Sequence, residues 1–207
     1  ECAKRRGQEI VYQPIDWDAK DMELESGTID CIWNGFTMNG REDDYTFSTP
    51  YVDNSQVIVV AEKSGIDTLE DLAGKTVGVQ AASAALDLLQ SEEEGGQKKL
   101  ADTFGALNEF ADYNTAFTEL QAGALDALAI DVGVANYQIK SRGEGYKILD
   151  ETLNTEQYAI GFKKGNQELC DVVNADLKKL TEDGTVAKIA EKYEDFGVPG
   201  SLCIGKK

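Results

Sequence analysis

The stretch IWNGFTMNGRE, residues 32–42, begins as an apolar, strand-like segment, runs into a turn that contains glycine and threonine, and then reaches an arginine. The chain around it is strongly acidic, with a net charge of −18. Arg41 just past a buried strand is therefore either a surface charge paired with Glu42, Asp43 and Asp44, or a group that binds a ligand. The rest of the sequence has to decide between these two interpretations.

A seven-residue echo gives the first indication of the architecture. Residues 24–30 (LESGTID) match residues 120–126 (LQAGALD), and each copy predicts a helix that ends at glycine and a strand that starts just before the aspartate. Two such units predict two lobes, each with its own sheet. The first strand leads to residues 33–37 and the second to Asp131. Ligands of open α/β sheets collect beyond the carboxyl ends of strands, so both ends should face a shared cleft.

Helix and strand signals continue between and beyond the two copies. Thr68 and Asp71 have the spacing of a capping pair for a helix over residues 67–72, and residues 75–80 form the next apolar strand. Ser83 is a plausible N-cap for a helix over residues 84–89. These signals predict strand, tight turn and helix in succession.

The C-terminal part predicts a helical hairpin. Behind an Asn166 cap, apolar residues recur at steps of three and four up to Leu180, and residues 183–185 (DGT) break the pattern. A second helix then carries Val186, Ile189, Ala190 and Tyr193. Helices that alternate with short apolar strands predict an α/β fold with mainly parallel sheets.

Charge and composition exclude several classes of function. A net charge of −18 argues against a nucleic-acid partner, because the phosphate backbone binds basic surfaces. The chain has no histidine, which removes the commonest general base and the commonest zinc ligand. We expect no metal site, no cofactor and no catalytic residue. No apolar run reaches the length of about 18 residues that a membrane span needs.

The four cysteines leave two interpretations open. Cys2, Cys31, Cys170 and Cys203 are widely spaced and contain no Cys-x-x-Cys pair. Pairing of Cys2 with Cys31 and of Cys170 with Cys203 would link local neighbours, and three connectivities are possible. The sequence is about equally compatible with four buried free thiols, since cysteine packs as a small hydrophobe.

Three polar features lie at or near predicted strand ends. Arg41 offers a planar fork suited to a carboxylate, and Ser83 lies where a helix N-terminus presents N–H groups to an anion. Asp131 offers the opposite charge, so together they complement a zwitterion such as an amino acid. Each also has a simpler interpretation, because Ser83 and Asp131 could be helix caps and Arg41 a surface charge. Trp33 is either a core residue or a cleft wall.

Several motifs in order along the chain resemble one known family. The sequence is similar to the family 3 solute-binding proteins of bacterial polar amino-acid ABC transporters. The motifs are residues 27–37 (GTIDCIWNGFT) with Arg41, 47–51 (FSTPY), 69–80 (LEDLAGKTVGVQ), 123–127 (GALDA) with Asp131, and 178–185 (KKLTEDGT). The resemblance covers nearly the whole chain.

This resemblance implies a two-lobed type II periplasmic binding protein fold. Each lobe is expected to be a mainly parallel sheet flanked by helices, and two hinge strands are expected to join the lobes and to allow closure. The implied domains are 1–60 for the first part of lobe 1, 61–157 for lobe 2, and 158–207 for the C-terminal helices of lobe 1. The implied hinges lie near residues 60–61 and 156–158.

The resemblance also implies a role for each candidate residue. Arg41 would hold the ligand carboxylate, with Ser83 and the Ala84 amide completing that site. Asp131 would pair with the ammonium, helped by Thr37 and the Gly35 backbone. The remaining candidates are Trp33 and Gln80, which would approach the ligand side chain, and Asn34 beside them.

Two departures from the family pattern stand out. Members usually begin some tens of residues earlier, so the first strand and the aromatic loop of the pocket are expected to be missing from this sequence. The loop between Thr37 and Arg41 is also one residue shorter than the usual Thr-x-Thr-x-x-Arg.

The expected function is extracytoplasmic binding of a polar amino acid and its delivery to the membrane permease of an ABC importer. The protein is expected to be a monomer in the periplasm, or on the cell surface by an upstream lipid anchor. One alternative is a dehydratase-type enzyme on the same fold that acts on a cyclic carboxylic acid, which needs an acid-base residue such as Asp131. The other is the ligand-sensing domain of a receptor.

Overall fold

The computed structural model describes residues 1–143 and 145–206. The strands are β1 (Tyr45–Phe47), β2 (Val52–Ala61), β3 (Thr76–Gln80), β4 (Ala106–Phe110), β5 (Ala127–Asp131), β6 (Tyr146–Tyr158) and β7 (Gly161–Lys163). The α-helices are α1 (Cys2–Arg5), α2 (Lys20–Ser26), α3 (Ala84–Gln90), α4 (Lys98–Ala101), α5 (Tyr113–Ala122), α6 (Val132–Arg142), α7 (Gln167–Glu182), α8 (Thr185–Glu191) and α9 (Val198–Ser201). Short 3-10 turns cover Trp17–Ala19, Glu70–Leu72 and Glu194–Phe196.

The chain divides into two compact units. Unit 1 contains Glu1–Asp53 and Glu156–Lys207, and unit 2 contains Asn54–Thr155. Strands β2 and β6 each contain one of the two boundaries. The domain limits at residues 60 and 157 and the hinge positions, which the family resemblance implies, stay a prediction.

Unit 2 is built on a five-stranded sheet with the order β4-β3-β5-β2-β6. Strand β3 pairs in parallel with both β4 and β5, as the alternation of strands and helices predicts. Strand β2 is antiparallel to β5, with Gln56 opposite Asp131 and Val60 opposite Ala127. The α/β fold class is thus confirmed, with a mixed sheet in this unit.

Both faces of this sheet are covered, because alternate side chains of a strand point to opposite faces. On β2, Ile58 and Val60 join one apolar cluster with Leu86 and Leu89 of α3. Val57 and Val59 join a second cluster with residues of α5 and α6. A continuous apolar run such as residues 57–60 is what a strand between two helical layers requires.

The predicted caps form as expected. The Ser83 Oγ accepts from the Leu86 N–H at 3.2 Å, and the Asn166 Oδ1 accepts from the Leu169 N–H at 3.4 Å. Gly27 and Gly123, the two glycines of the echo, both end helices in the left-handed region with φ of +77°. These helix ends are confirmed because each depends on groups a few residues apart.

The predicted helix over residues 67–72 is wrong in kind. The Asp71 carboxylate accepts from the Thr68 N–H at 2.9 Å, so the capping pair is present. Only a 3-10 turn over Glu70–Leu72 follows it, however. Gly74 lies at φ +73° and ends the segment. The segment is therefore too short for added hydrogen bonds to offset the unfavourable free energy of forming the first α-helical turn.

Unit 1 carries a two-stranded sheet in which β1 and β7 pair antiparallel. The parallel character predicted for both lobes therefore holds only in unit 2. The predicted strand that leads from Ile29 to Trp33 is also wrong. Ile32 and Thr37 form single bridges to Gly161 and Tyr158, and the chain bends at Asn34 and Gly35 before a ladder can extend.

An aromatic cluster forms a core of unit 1. The Phe36 ring is fully buried, and it packs edge-on against Trp17 and Tyr45 at centroid distances of 5.6 Å and 4.9 Å. A Cβ added to Gly161 would lie only 2.6 Å from this ring. A glycine at position 161 thus lets β7 pass directly over Phe36.

The helical hairpin is confirmed, but its second helix buries less than its pattern indicates. Helix α7 buries Val173, Leu177 and Leu180, whereas on α8 only Ala190 is buried. Ile189 is 40% exposed, and Tyr193 lies beyond the end of α8 and is 50% exposed. Periodicity shows which residues share a helix face, but not whether another element covers that face.

All four cysteines are free thiols. Cys170 is buried, and Cys2 and Cys31 are half-buried against the same apolar cluster. Burial, with a smaller contribution from Asp30, raises the pKa of the Cys31 thiol to about 11. The structure thus agrees with the free-thiol interpretation, although only one of the four is fully buried.

Candidate functional site

The unit 1 part of the predicted site begins with Arg41. A tight turn precedes it, in which Gly40 has φ of +78° and the Arg41 N–H donates to the Met38 carbonyl at 3.0 Å. The guanidinium carbon lies 5.2 Å from the centroid of the Phe36 ring. Stacking on an aromatic ring restricts the planar guanidinium, whose fork geometry matches a carboxylate.

Thr37 is buried beside an acid that sequence reasoning did not include in the site. Its hydroxyl donates to the Glu156 Oε1 at 2.7 Å, and both side chains are 4% exposed. Since this bond uses the one hydroxyl proton, the Thr37 oxygen can serve an additional partner only as an acceptor. That role suits an ammonium group. Glu156 lies 119 positions from Thr37 in the chain, so no local pattern indicates the pairing.

Trp33, Asn34 and Gly35 lie at the surface end of this segment. The Trp33 side chain is 43% exposed, which argues against the core interpretation. The Tyr51 hydroxyl donates to the Asn34 carbonyl at 3.5 Å. Burial raises the pKa of Tyr51 to about 12, so this phenol stays protonated at neutral pH. A Cβ on Gly35 would lie 3.2 Å from the Tyr158 ring, so the absence of a side chain permits this approach.

The unit 2 part of the predicted site lies at the ends of neighbouring strands. Gln80 is the last residue of β3 and Asp131 the last of β5, and these strands are parallel and adjacent. Their carboxyl ends therefore share one edge of the sheet. Ser83 and Ala84 follow directly after β3 at the start of α3. The structure thus brings these four predicted residues to one edge of unit 2.

Ser83 performs the capping role that the simpler interpretation gives it. Its side chain is 4% exposed and its oxygen accepts from Leu86, which leaves the hydroxyl proton to donate elsewhere. The preceding residue, Ala82, has φ of +53°. A left-handed conformation costs a residue with a Cβ about 1 kcal/mol, so strain is stored where the chain turns into α3.

Gln80 is held by the loop after β4. Its Nε2 donates to the Ala111 carbonyl at 3.1 Å. The amide oxygen of Gln80 lies at the opposite end of the same planar group. This contact fixes the plane of the side chain at the edge that Asp131 shares.

Asp131 is not a helix cap. It occupies the N-cap position of α6, but its side chain makes no capping hydrogen bond. Its Oδ1 instead accepts from the Asn54 Nδ2 and the Gln56 Nε2, both at 2.9 Å, and its Oδ2 accepts from the Tyr113 hydroxyl at 3.2 Å. Three side-chain donors thus fix a half-buried carboxylate at the end of β5.

Sequence reasoning missed these three donors. Asn54 and Gln56 alternate on β2 directly before the apolar run of residues 57–60. Two polar residues on one face of a buried strand are a visible signal for a polar partner on the next strand. Tyr113 opens α5 and carries no such signal.

The described residues show neither a metal centre nor a membrane span. Within residues 1–143 and 145–206, no group of three or more cysteine or acidic side chains is arranged to hold a metal ion. No helix in the same ranges combines the length and the apolar character that a bilayer crossing requires.

The Ser83 cap gives a first testable prediction. Ser83→Ala is expected to lower the free energy of unfolding by about 1 kcal/mol, because the Leu86 N–H loses its acceptor. Ser83→Gly is the matched control, since glycine at an N-cap costs only a few tenths of a kcal/mol. Urea denaturation of both variants measures the difference. Equal losses would show that the cap does not stabilise α3.

Comparison with known proteins places these features in a family context. The sequence profile of the bacterial extracellular solute-binding proteins, family 3, matches residues 1–197. The L-cystine-binding protein TcyJ of Escherichia coli K12 is 29% identical over 196 residues, which are 93% of this chain and 70% of that protein.

Two solved structures extend the comparison. A substrate-binding protein of an ABC uptake transporter from Streptococcus pneumoniae, with bound histidine, has a TM-score of 0.84 and 34% identity, and the match covers 91% of this chain and 77% of that one. The ancestral amino acid-binding protein AncCDT-1, a precursor of cyclohexadienyl dehydratase, has a TM-score of 0.80 and 28% identity, covering 92% and 80%.

Proposed function

Because this chain belongs to the bacterial extracellular solute-binding proteins of family 3, we propose that it binds a polar amino acid outside the cytoplasm and delivers it to the permease of an ABC importer. The observation that supports this most is the Asp131 carboxylate, which three side-chain donors hold at a strand end. A fixed, half-buried acid that does not cap its helix is suited to pair with an ammonium group.

We propose one ligand contact for each candidate residue. In unit 1, Arg41 binds the ligand carboxylate, and Thr37 with the Gly35 backbone accepts from the amino group. In unit 2, Asp131 pairs with the ammonium while Ser83 and the Ala84 amide donate to the carboxylate. A desolvated ion pair with well-placed hydrogen bonds favours a zwitterion over ligands that carry one charge.

The ligand side chain is proposed to be polar and not acidic. Gln80, Asn34 and the exposed indole of Trp33 are the groups offered to it. A net charge of −18 disfavours the approach of an anion, and it raises the local concentration of neutral and cationic ligands relative to acidic ones. Two of the proteins compared above are described with cystine and with bound histidine, and both ligands meet this description.

The protein is proposed to bind without catalysis. The enzymatic alternative is a dehydratase, and AncCDT-1 is described as a precursor of such an enzyme. An enzyme of that kind needs a group that exchanges a proton with its substrate. Asp131 already accepts hydrogen bonds from Asn54, Gln56 and Tyr113, an arrangement that serves charge pairing.

A thermal-shift screen tests the proposal. The panel consists of the twenty common amino acids, L-cystine and several cyclic carboxylic acids. A ligand at 100 times its Kd stabilises the native state by about 2.7 kcal/mol, which for a chain of this size raises Tm by about 5–10 °C. We expect such a shift with one or a few polar amino acids. A shift with cyclic acids alone, or with none of the panel, would contradict the proposal.

A further inference from the structure

Two buried amides on β2 call for a physical explanation. Asn54 is 5% exposed and Gln56 is fully buried, although the four residues that follow them are apolar. A buried amide costs stability unless it is hydrogen-bonded, and a valine in its place would extend the core of the strand. Their partner is Asp131, which both amides contact.

The geometry of this contact is specific. Gln56 lies directly opposite Asp131 in the β2–β5 register, and Asn54 is two residues away on the same face of β2. Both amides donate to the same oxygen, Oδ1, at 2.9 Å. A carboxylate oxygen has two lone pairs, enough to accept from both donors. The other oxygen, Oδ2, accepts from the Tyr113 hydroxyl at 3.2 Å.

The backbone that carries these amides is itself anchored. The Gln56 N–H donates to the Asn154 Oδ1 of β6 at 3.2 Å, in addition to the β2–β5 ladder. Strands β2 and β6 each contain one boundary between the units, and Asn54 of β2 and Asn154 of β6 lie within two residues of these boundaries. Strand β2, whose side chains hold the carboxylate, is thus hydrogen-bonded to β6, the other strand that contains a unit boundary.

We propose that Asn54 and Gln56 are positioning residues that orient the Asp131 carboxylate towards the ligand ammonium, and that they thereby set the preference for amino acids over their deaminated analogues. This inference rests on the proposed function, because it needs an amino acid bound through Asp131. Neither amide touches the ligand in this role. Their effect on binding passes entirely through the angle and the position of one carboxylate.

The test compares two ligands on matched variants. Gln56→Met and Asn54→Leu remove the donors at similar volume. Calorimetry measures the Kd of the amino acid from the panel that gives the largest thermal shift and the Kd of its deaminated acid, which for L-arginine is 5-guanidinopentanoic acid. We expect Gln56→Met to weaken the amino acid about tenfold and to leave the deaminated acid within twofold. Asn54→Leu is expected to act in the same direction.

The control variant is Gln138→Met. Gln138 is another buried glutamine of unit 2, 5% exposed, whose Nε2 donates to the Asn114 side chain at 2.8 Å. The Gln138→Met substitution removes a comparable buried amide that does not contact Asp131. Both Kd values should therefore stay near those of the parent. A thermal melt of each variant confirms that it is folded, and having two donor variants keeps the test decisive if one of them does not fold.

The outcomes separate the two proposals. A loss confined to the amino acid supports the positioning role, because a general destabilisation of the fold would weaken both ligands alike. If the parent protein binds the amino acid and the donor variants lose equal affinity for the amino acid and its deaminated acid, the positioning role is overturned and the proposed function stays intact. No binding of any amino acid by the parent protein overturns the proposed function, and the positioning role with it.

Discussion

Arg41→Ala is expected to weaken binding of the amino acid by between about 30-fold and about 4000-fold. The range follows from a cost of about 2–5 kcal/mol when one partner of a desolvated charge pair is truncated. The loss should fall at the upper end, since the Phe36 ring already holds the guanidinium and little conformational freedom is left to lose on binding. Isothermal calorimetry on the parent and the variant measures the ratio.

Two further variants sharpen this result. Arg41→Lys keeps the charge but loses the fork and the stacking, so its Kd should lie between those of the parent and the alanine variant. Arg142→Ala is the matched control, because Arg142 also stacks on a ring, with its guanidinium carbon 5.4 Å from the Phe117 centroid, but has no proposed ligand contact. If Arg41→Ala bound within about threefold of the parent, the carboxylate role would be wrong.

Asp131→Asn is expected to weaken amino acids by about 30-fold or more and to spare their deaminated analogues. The surrounding donors make this substitution severe despite its similar shape. Asn54 and Gln56 both donate towards Oδ1, so the new side chain turns its oxygen to them and its NH₂ group towards the ligand. The ammonium then meets a donor in place of an acceptor.

Asp126→Asn is the control for this second result. Asp126 also lies beside β5, at the opposite end of the strand, and its Oδ2 accepts from the Thr76 N–H at 2.8 Å. It changes the net charge by the same amount without altering the proposed ammonium contact, so affinities for amino acids should stay near those of the parent. Equal losses on amino acids and deaminated acids in Asp131→Asn would remove the ammonium assignment.

Features that depend on nearby residues could be predicted from the sequence. The Ser83 and Asn166 caps and the helix ends at Gly27 and Gly123 each involve groups within a few positions, so a short pattern contains the whole interaction. Strand β3 and helix α7 follow from apolar periodicity in the same way. The α/β class follows from the alternation of such elements, and the family resemblance added the expectation of two lobes.

Features that depend on distant partners could not be predicted. The strand expected before Trp33 fails because a ladder needs a paired neighbour, and the chain offers Ile32 only one bridge at Gly161. Asn54 and Gln56 lie 77 and 75 positions from Asp131, and only the β2–β5 register brings them together. The sequence therefore indicated which groups carry charge at the candidate site, but not which groups hold them.

The contact between Phe36 and Gly161 has a consequence for how the sequence can vary. A side chain at position 161 would have to displace the ring that lies under Arg41, because a Cβ there would come within 2.6 Å of it. A substitution as small as Gly161→Ala would thus shift the ring on which the Arg41 guanidinium stacks. Under the ligand-binding role proposed for Arg41, recognition would limit the evolutionary freedom of positions that no ligand touches. Mutational tolerance in unit 1 should then follow the packing around Phe36 more closely than the distance from the ligand.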